Sequence, residues 1–308
     1  MSAFLTRFAP SPTGYLHLGH AFSALTVFDA AREAGGTCLL RIEDIDTTRC
    51  KPEYEAAAYE DLAWLGCDWP EPVRRQSEHF PEYHAALETL HARGLVYRCF
   101  KTRREIAEDI ARAPHHPGEG PEGVIYPGPS VALSADEETE RLERGDAFSW
   151  RLSISACREH LGEAFNQLSF VETGEGPDGE TGEVRARPDT LGDVILGRKD
   201  VGTSYHLACT HDDALQGVTH VIRGVDLYFA THLHRLVQEL MGWPVPVWSR
   251  KVDSDACFER MATAFIQATP CSTEEGGVKL ALGSHNARSI GAAIAELEKA
   301  GLPKSALK

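Results

Sequence analysis

Along this chain short apolar runs alternate with segments whose apolar residues recur at helical spacing. Residues 5–9 (LTRFA) are a short run that meets a Pro-Ser-Pro-Thr-Gly turn, as a strand does when it ends abruptly. A helix is predicted from about residue 20, with Phe22, Leu25, Val27, Phe28 and Ala31 as its apolar content and Gly35-Gly36 as its stop. Residues 37–42 (TCLLRI) read as a second strand, followed at once by Glu43 and Asp44. Pro52 opens a helix that ends at Gly66. Another spans about 80–93, is closed by Gly94, and leads to the strand-like Leu95-Val96-Tyr97. Strand and helix in alternation predict a doubly wound, Rossmann-like α/β fold.

The alternation breaks after Cys99. Residues 114–130 hold several Pro and Gly, 134–145 are a very acidic helical stretch, 148–154 (FSWRLSI) are strand-like, and 172–189 are a loop by composition. Residues 99–187 therefore read as an α+β insertion dividing an α/β domain into 1–98 and 188–250. Strands are predicted to return at 193–196, 205–209 and 218–223, ahead of a helix at 231–240 whose Leu233, Leu236, Val237 and Leu240 share a face. Residues 251–308 form a C-terminal segment in which Ile290, Ile294 and Leu297 recur at helical spacing.

Composition narrows the class. Of 308 residues 42% are apolar and 25% charged, a globular balance. Lys and Arg total 31 against 46 Asp and Glu, a formal charge of −15. That excludes a protein holding nucleic acid by bulk electrostatics, but not an enzyme with a local basic surface. No apolar stretch approaches the roughly 20 residues of a membrane span. Eight scattered cysteines with no CxxC pair read as reduced thiols in a cytoplasmic protein.

The chemistry concentrates in RFAPSPTGYLHLGH, residues 7–20. A strand ends in a turn stiffened by two prolines and a helix begins at His17-Leu18-Gly19-His20. A helix N-terminus offers free N–H groups and positive dipole to phosphate oxygens. His17 and His20, three residues apart, share a face there, and Gly19 would let a flat base approach the backbone. Taken alone, the stretch could equally be a Pro-rich turn with incidental histidines.

It does not stand alone. The stretch resembles the HIGH signature of class I aminoacyl-tRNA synthetases in its glutamyl form. LLRIEDIDTTR at 39–49, DLAWLGCDW at 61–69 and QSEHFPEYHAALETLHARGLVY at 76–97 follow the same order. So do LGDVILGRKDVGTSYHLA at 191–208 and DDALQGVTHVIRGVDL at 212–227. The resemblance covers about residues 4–250, with a weaker stretch at 277–290, and implies a class I catalytic domain that uses ATP and Mg²⁺. By resemblance Arg7 and Arg223 face substrate carboxylate, a task for which a guanidinium fork is suited. Glu43 binds the α-ammonium of glutamate. Ser11 and Tyr205 add hydroxyl hydrogen bonds, and Phe8 and Ala9 line the pocket through their backbone. His17, Gly19, His20 and Lys279 are the expected ATP-binding residues, with His17, His20 and Lys279 catalytic.

The 308 residues leave no room for the helical anticodon-binding region of full glutamyl enzymes. The resemblance therefore points to a truncated paralogue in this family, expected as a monomer, that transfers glutamate to queuosine in the anticodon loop of tRNA(Asp). Two rivals remain: a catalytic domain that charges tRNA(Glu), and a weakened glutamate or nucleotide binder. The sequence departs from the family at two places, and Leu282 at the second is what favours the binder. Where the paralogue's insertion holds zinc, this chain has Cys99, Lys101, Tyr126 and Ser130, so two thiolates are missing and no zinc is expected. The best match to the mobile KMSKS loop is Lys279-Leu280-Ala281-Leu282-Gly283, with Leu282 at the second lysine position. Losing a cation that meets developing phosphate charge costs several kcal/mol of barrier; Arg250 or Lys251 is the candidate replacement. Arg98, Lys101, Arg103 and Arg104 form the candidate tRNA patch.

Overall fold

The computed structural model describes residues 3–112, 119–120, 123–126, 128–129, 133–250, 263, 266–267 and 287–302. The chain runs β1 (Leu5–Phe8), α1 (Leu18–Glu33), β2 (Thr37–Ile42), α2 (Pro52–Trp64), β3 (Arg74–Arg75), α3 (Phe80–Ala92) and β4 (Val96–Cys99). Then come α4 (Arg103–Arg112), β5 (Glu119–Gly120), β6 (Gly123–Val124), α5 (Ala135–Glu143), β7 (Ser149–Leu152), α6 (Ile154–Leu161) and α7 (Glu163–Gln167). They are followed by β8 (Ser169–Glu172), β9 (Gly182–Arg185), β10 (Ile195–Gly197), α8 (Tyr205–Leu215), β11 (His220–Arg223), α9 (Tyr228–Met241), β12 (Val247–Arg250) and α10 (Ala287–Lys299).

β1, β2 and β3 form a parallel sheet in that order. β11 and β12 are parallel to one another, β12 is parallel to β8, and β9 closes that edge. The Thr219 amide donates to Leu5 O at 2.8 Å, which brings the start of β11 against β1. The chain thus leaves β1 toward β2 on one side and β11 toward β12 on the other. In a doubly wound fold, the crevice beyond the carboxyl ends of two such strands is where ligands bind.

Of the three buried clusters among the described residues, that of Ile266, Ala293, Leu297 and Leu302 lies toward the C-terminus, and the other two hold the α/β frame. One packs α1 and α2 on β1 and β2 through Phe8, Val27, Phe28, Leu40 and Leu62. The other gathers Tyr83, Leu87, Leu90, Leu152, Leu196, Leu207, Leu233, Leu236 and Val237 between α3, α8, α9 and the sheets. Each such aliphatic or aromatic side chain contributes about 1.5–3 kcal/mol by burial.

Three expectations change. Residues 205–209 are not a strand; they are the first half of α8. A five-residue apolar run cannot be told from a helix by periodicity alone, and α8 continues its buried face through Thr210, Asp212 and Asp213, polar residues a hydrophobic pattern skips. The supposed loop 172–189 contains β9, paired with β8 from Ser169↔Arg185 to Glu172↔Gly182. Exposed edge strands carry charge, so composition made this one look like loop. β4, read as part of the parallel alternation, lies in an antiparallel sheet ordered β10-β7-β4. Among the described residues no helix is long and apolar enough to cross a membrane.

Candidate active site

The carboxyl ends of β1 and β11 and the start of α1 enclose a cleft of about 580 Å³. Arg7, Phe8, Ala9, Ser11, His17, Gly19, His20, Glu43, Tyr205 and Arg223 all line it. Every glutamate-binding candidate is thus brought to one place. Lys279 and Leu282, with Lys251 and the side chain of Arg250, lie outside the described residues.

α1 is capped by its own histidines. His17, the N-cap, accepts the Gly19 amide on Nδ1 at 3.1 Å, while His20 Nδ1 accepts the His17 amide at 3.2 Å. The two rings lie 3.8 Å apart between centroids. Gly19 has a reason the sequence did not supply: a Cβ there would sit 3.0 Å from His17 Cε1 and 3.2 Å from Nδ1. Gly19→Ala gains helix propensity worth up to about 1 kcal/mol, yet it must push the His17 ring aside. We expect ATP–pyrophosphate exchange to fall severalfold while urea denaturation shows little loss of stability.

Beneath the cleft lies a buried charge network. Arg7 Nε and Arg41 Nη1 both donate to Asp213 Oδ1, at 2.9 and 2.7 Å, and Arg41 Nη2 donates to Glu43 Oε1 at 3.0 Å. Cys209 Sγ lies 3.6 Å from both guanidinium groups. Burial pushes the Cys209 thiol up to about 12, so the sulfur is a neutral acceptor here. Burial works to raise the Asp213 carboxyl, but Arg7 and Arg41 together hold it below its ordinary value. For Glu43 burial wins, and its carboxyl is raised against the pull of Arg41 and Arg7. An ammonium group entering beside Glu43 would relieve that imbalance.

Arg223 is held differently. Nη2 donates to Glu172 Oε2 at 3.0 Å and Nε to Thr231 Oγ1 at 2.7 Å, with Tyr228 and Trp248 rings 5.2 and 5.4 Å from the guanidinium carbon. Nη1 is buried without a hydrogen-bond partner among the described residues. A guanidinium so clamped presents unused donors to a carboxylate in a fixed direction. At the cleft floor His234 Nε2 meets His206 Nδ1 at 3.2 Å. Burial pushes His206 down to about 4 and His234 well below its ordinary value, so both rings are neutral near pH 7.

Arg41, Asp213, Glu172 and His234 were missed from the sequence. Reading 205–209 as a strand hid the one available signal, since on a helix Tyr205, Cys209 and Asp213 stand at i, i+4 and i+8 on one face. Nothing local marked Glu172, which the β8–β12 pairing brings in.

In the insertion, Cys99, Lys101 and Tyr126 line a separate cleft of about 430 Å³, and Ser130 lies outside the described residues. The donor set does not fit zinc. Lys101 contributes an ammonium, ion-paired with Asp109, where a second thiolate would be needed, and Tyr126 is a phenol raised to about 12 by burial. The other candidate metal cluster, Glu82, His211 and Asp212, already holds a cation, since Arg74 pairs with Glu82 at 2.5 Å and Asp212 at 3.0 Å. Of the expected tRNA patch, Arg98 is held by Glu138 at 2.7 Å and Lys101 is ion-paired with Asp109, while Arg104 is 87% exposed with a 3.7 Å contact to Glu108. The Arg103 side chain lies outside the described residues.

Residues 3–253 match the family model of the class I tRNA synthetases (E and Q), catalytic domain. The match ends close to residue 251, ahead of the stretch that carries Lys279 and Leu282. A second family model, proline dehydrogenase, matches 233–308, a minor part of the chain. The chain is 49% identical to a glutamyl-Q tRNA(Asp) synthetase of Rhodobacter capsulatus, over 79% of this chain and 84% of that protein. It is 37% identical to the glutamate–tRNA ligase of Aquifex aeolicus, over 80% of this chain but 48% of the ligase. The glutamate–tRNA synthetase structure from Elizabethkingia anophelis superposes with a TM-score of 0.63 at 28% identity, covering 81% of this chain and 50% of that one. The chain thus spans about half the length of the full-size glutamate enzymes it matches.

Proposed function

Since this chain belongs to the class I tRNA synthetases of the glutamate and glutamine group, through their catalytic domain, we propose that it makes glutamyl-adenylate from L-glutamate and ATP and transfers glutamate to queuosine in tRNA(Asp). The observation that carries this reading is the meeting, in one cleft, of Arg7 and Arg223 from adjacent strands with Glu43. They match the charges of an amino acid with an acidic side chain. Identity favours the queuosine reading, at 49% to the glutamyl-Q relative against 37% to the Aquifex aeolicus ligase.

Arg223 Nη1 takes a glutamate carboxylate, Glu43 the α-ammonium, and the Ser11 and Tyr205 hydroxyls orient the rest. His17, His20 and the start of α1 receive the ATP phosphates. A carboxylate oxygen of glutamate attacks the α-phosphorus in line, the bond to pyrophosphate breaks, and the histidines donate to the charge that develops. A hydroxyl of the cyclopentenediol of queuosine then attacks the acyl carbonyl and AMP leaves. Mg²⁺ arriving with ATP would supply charge neutralisation at the phosphates; with Glu43 committed to the α-ammonium, Asp226 is the cleft carboxylate that would hold it.

The test is ATP–pyrophosphate exchange with glutamate and no RNA, followed by labelling of tRNA(Asp) with and without queuosine. Exchange above background and labelling that depends on queuosine are expected. Labelling indifferent to queuosine would overturn the reading in favour of tRNA(Glu) charging. No exchange, with recovery in Leu282→Lys, would mean a site weakened by the lost lysine.

A further inference from the structure

Beside the cleft, where α2 begins, lies a cation–aromatic patch that none of the steps above uses. Tyr15 is 64% exposed, one of the large hydrophobic side chains left open to solvent among the described residues. Its ring meets that of Tyr54 edge to face, with centroids 4.9 Å apart and planes at 77°. Lys51 Nζ stands 5.2 Å from the centre of the Tyr54 ring. The patch is fixed to the cleft wall. The Lys51 amide donates to Pro12 O at 3.2 Å, Ser11 Oγ lies 3.9 Å from Cys50 Sγ, and Tyr15 stands two residues before the His17 cap.

We propose that Tyr15, Tyr54 and Lys51 form a stacking platform for an unpaired nucleotide of the RNA that accepts the glutamyl group. The base lies on the open face of Tyr15 and Lys51 meets a neighbouring phosphate. This rests on the reading of the chain as an RNA-glutamylating enzyme. Three observations support it. Unpaired bases are recognised by stacking on aromatic side chains, with a cation nearby for the backbone. The net charge of −15 removes bulk attraction to a polyanion, so RNA contact must be local. Arg98 and Lys101 of the insertion rim are held by Glu138 and Asp109 at hydrogen-bond distance, whereas Lys51, among the described residues, has an exposed contact with Glu53 at 3.7 Å, which a phosphate can displace.

The experiment uses the full chain with Tyr15→Ala, Tyr54→Ala, Lys51→Met and the conservative Tyr15→Phe. RNA affinity is read as the Kd for queuosine-bearing tRNA(Asp) and as the KM in transfer; adenylation is read by ATP–pyrophosphate exchange without RNA. Tyr15→Ala is expected to weaken RNA binding about tenfold to hundredfold while leaving exchange and the KM for ATP unchanged. Tyr15→Phe should behave as the wild type. Lys51→Met should weaken binding and lower the salt slope by about one. An unchanged RNA Kd in Tyr15→Ala overturns the proposal. So does a raised KM for ATP in exchange, because the ring would then serve the adenine of ATP. If the wild type exchanges glutamate but labels no tRNA, the reading of the reaction fails, and the Kd series still decides the platform.

Discussion

Asp213→Asn is expected to lower the free energy of unfolding by about 3–5 kcal/mol, the usual cost of removing one member of a buried ion pair. The magnitude follows from the partners. Arg41 is fully buried and Arg7 nearly so, and both donate to the same Asp213 oxygen. With Asn in place two guanidinium groups would share Glu43 as their remaining counter-ion. Urea denaturation checks it, as a lower midpoint at an unchanged slope. The pH dependence is a second readout. The folded-state pKa of Asp213 is depressed below its ordinary 3.8. Its contribution is therefore fully present above that value and is lost as pH falls through the folded pKa. The Asn variant should show less of this acid loss. A change under about 1 kcal/mol would mean that the network does not hold these charges as described. Exchange should also fall, since Arg41 then loses the partner that keeps it from drawing Glu43 out of position.

Arg223→Gln is expected to raise the KM for glutamate in exchange about tenfold to hundredfold, corresponding to the ~1.5–3 kcal/mol of a hydrogen bond to a charged group. It should also destabilise the fold by about 3–5 kcal/mol, because Glu172, with no exposed surface, loses its ion pair with Arg223. Glu172→Gln in the same chain separates the two effects. The double variant replaces a buried ion pair with two neutral amides and should recover most of the stability, since neutralising both members of such a pair costs little. It should not recover glutamate use. Recovery of both would make Arg223 a structural residue, and urea titration beside glutamate-dependent exchange distinguishes these outcomes.

Much of the catalytic half was legible. The Pro-stiffened turn after residues 5–9 and the helix begun by His17 are local features, set by backbone restriction and capping within a few residues. The structure also brings together every glutamate-pocket residue named from the sequence. Their electrostatic state was not legible. Arg7 and Arg223 read as free forks for substrate, yet each is already tied to a carboxylate more than 50 residues away in sequence, at Asp213 and Glu172. The same held on the insertion, where Arg98 and Lys101 looked like part of a basic surface but are paired with Glu138 and Asp109.

The sequence by itself determined which residue types stand at the ends of β1, β2 and β11, and therefore the kind of ligand the cleft can hold. Strand-then-turn and cap-then-helix patterns are short-range, and side-chain chemistry travels with them. Tertiary structure alone decided which charges are spent on one another and which remain for a ligand. That depends on the approach of β1 to β11, on α8 lying beneath both, and on β8 joining β12, contacts made across 50 to 200 residues of chain that no local pattern encodes.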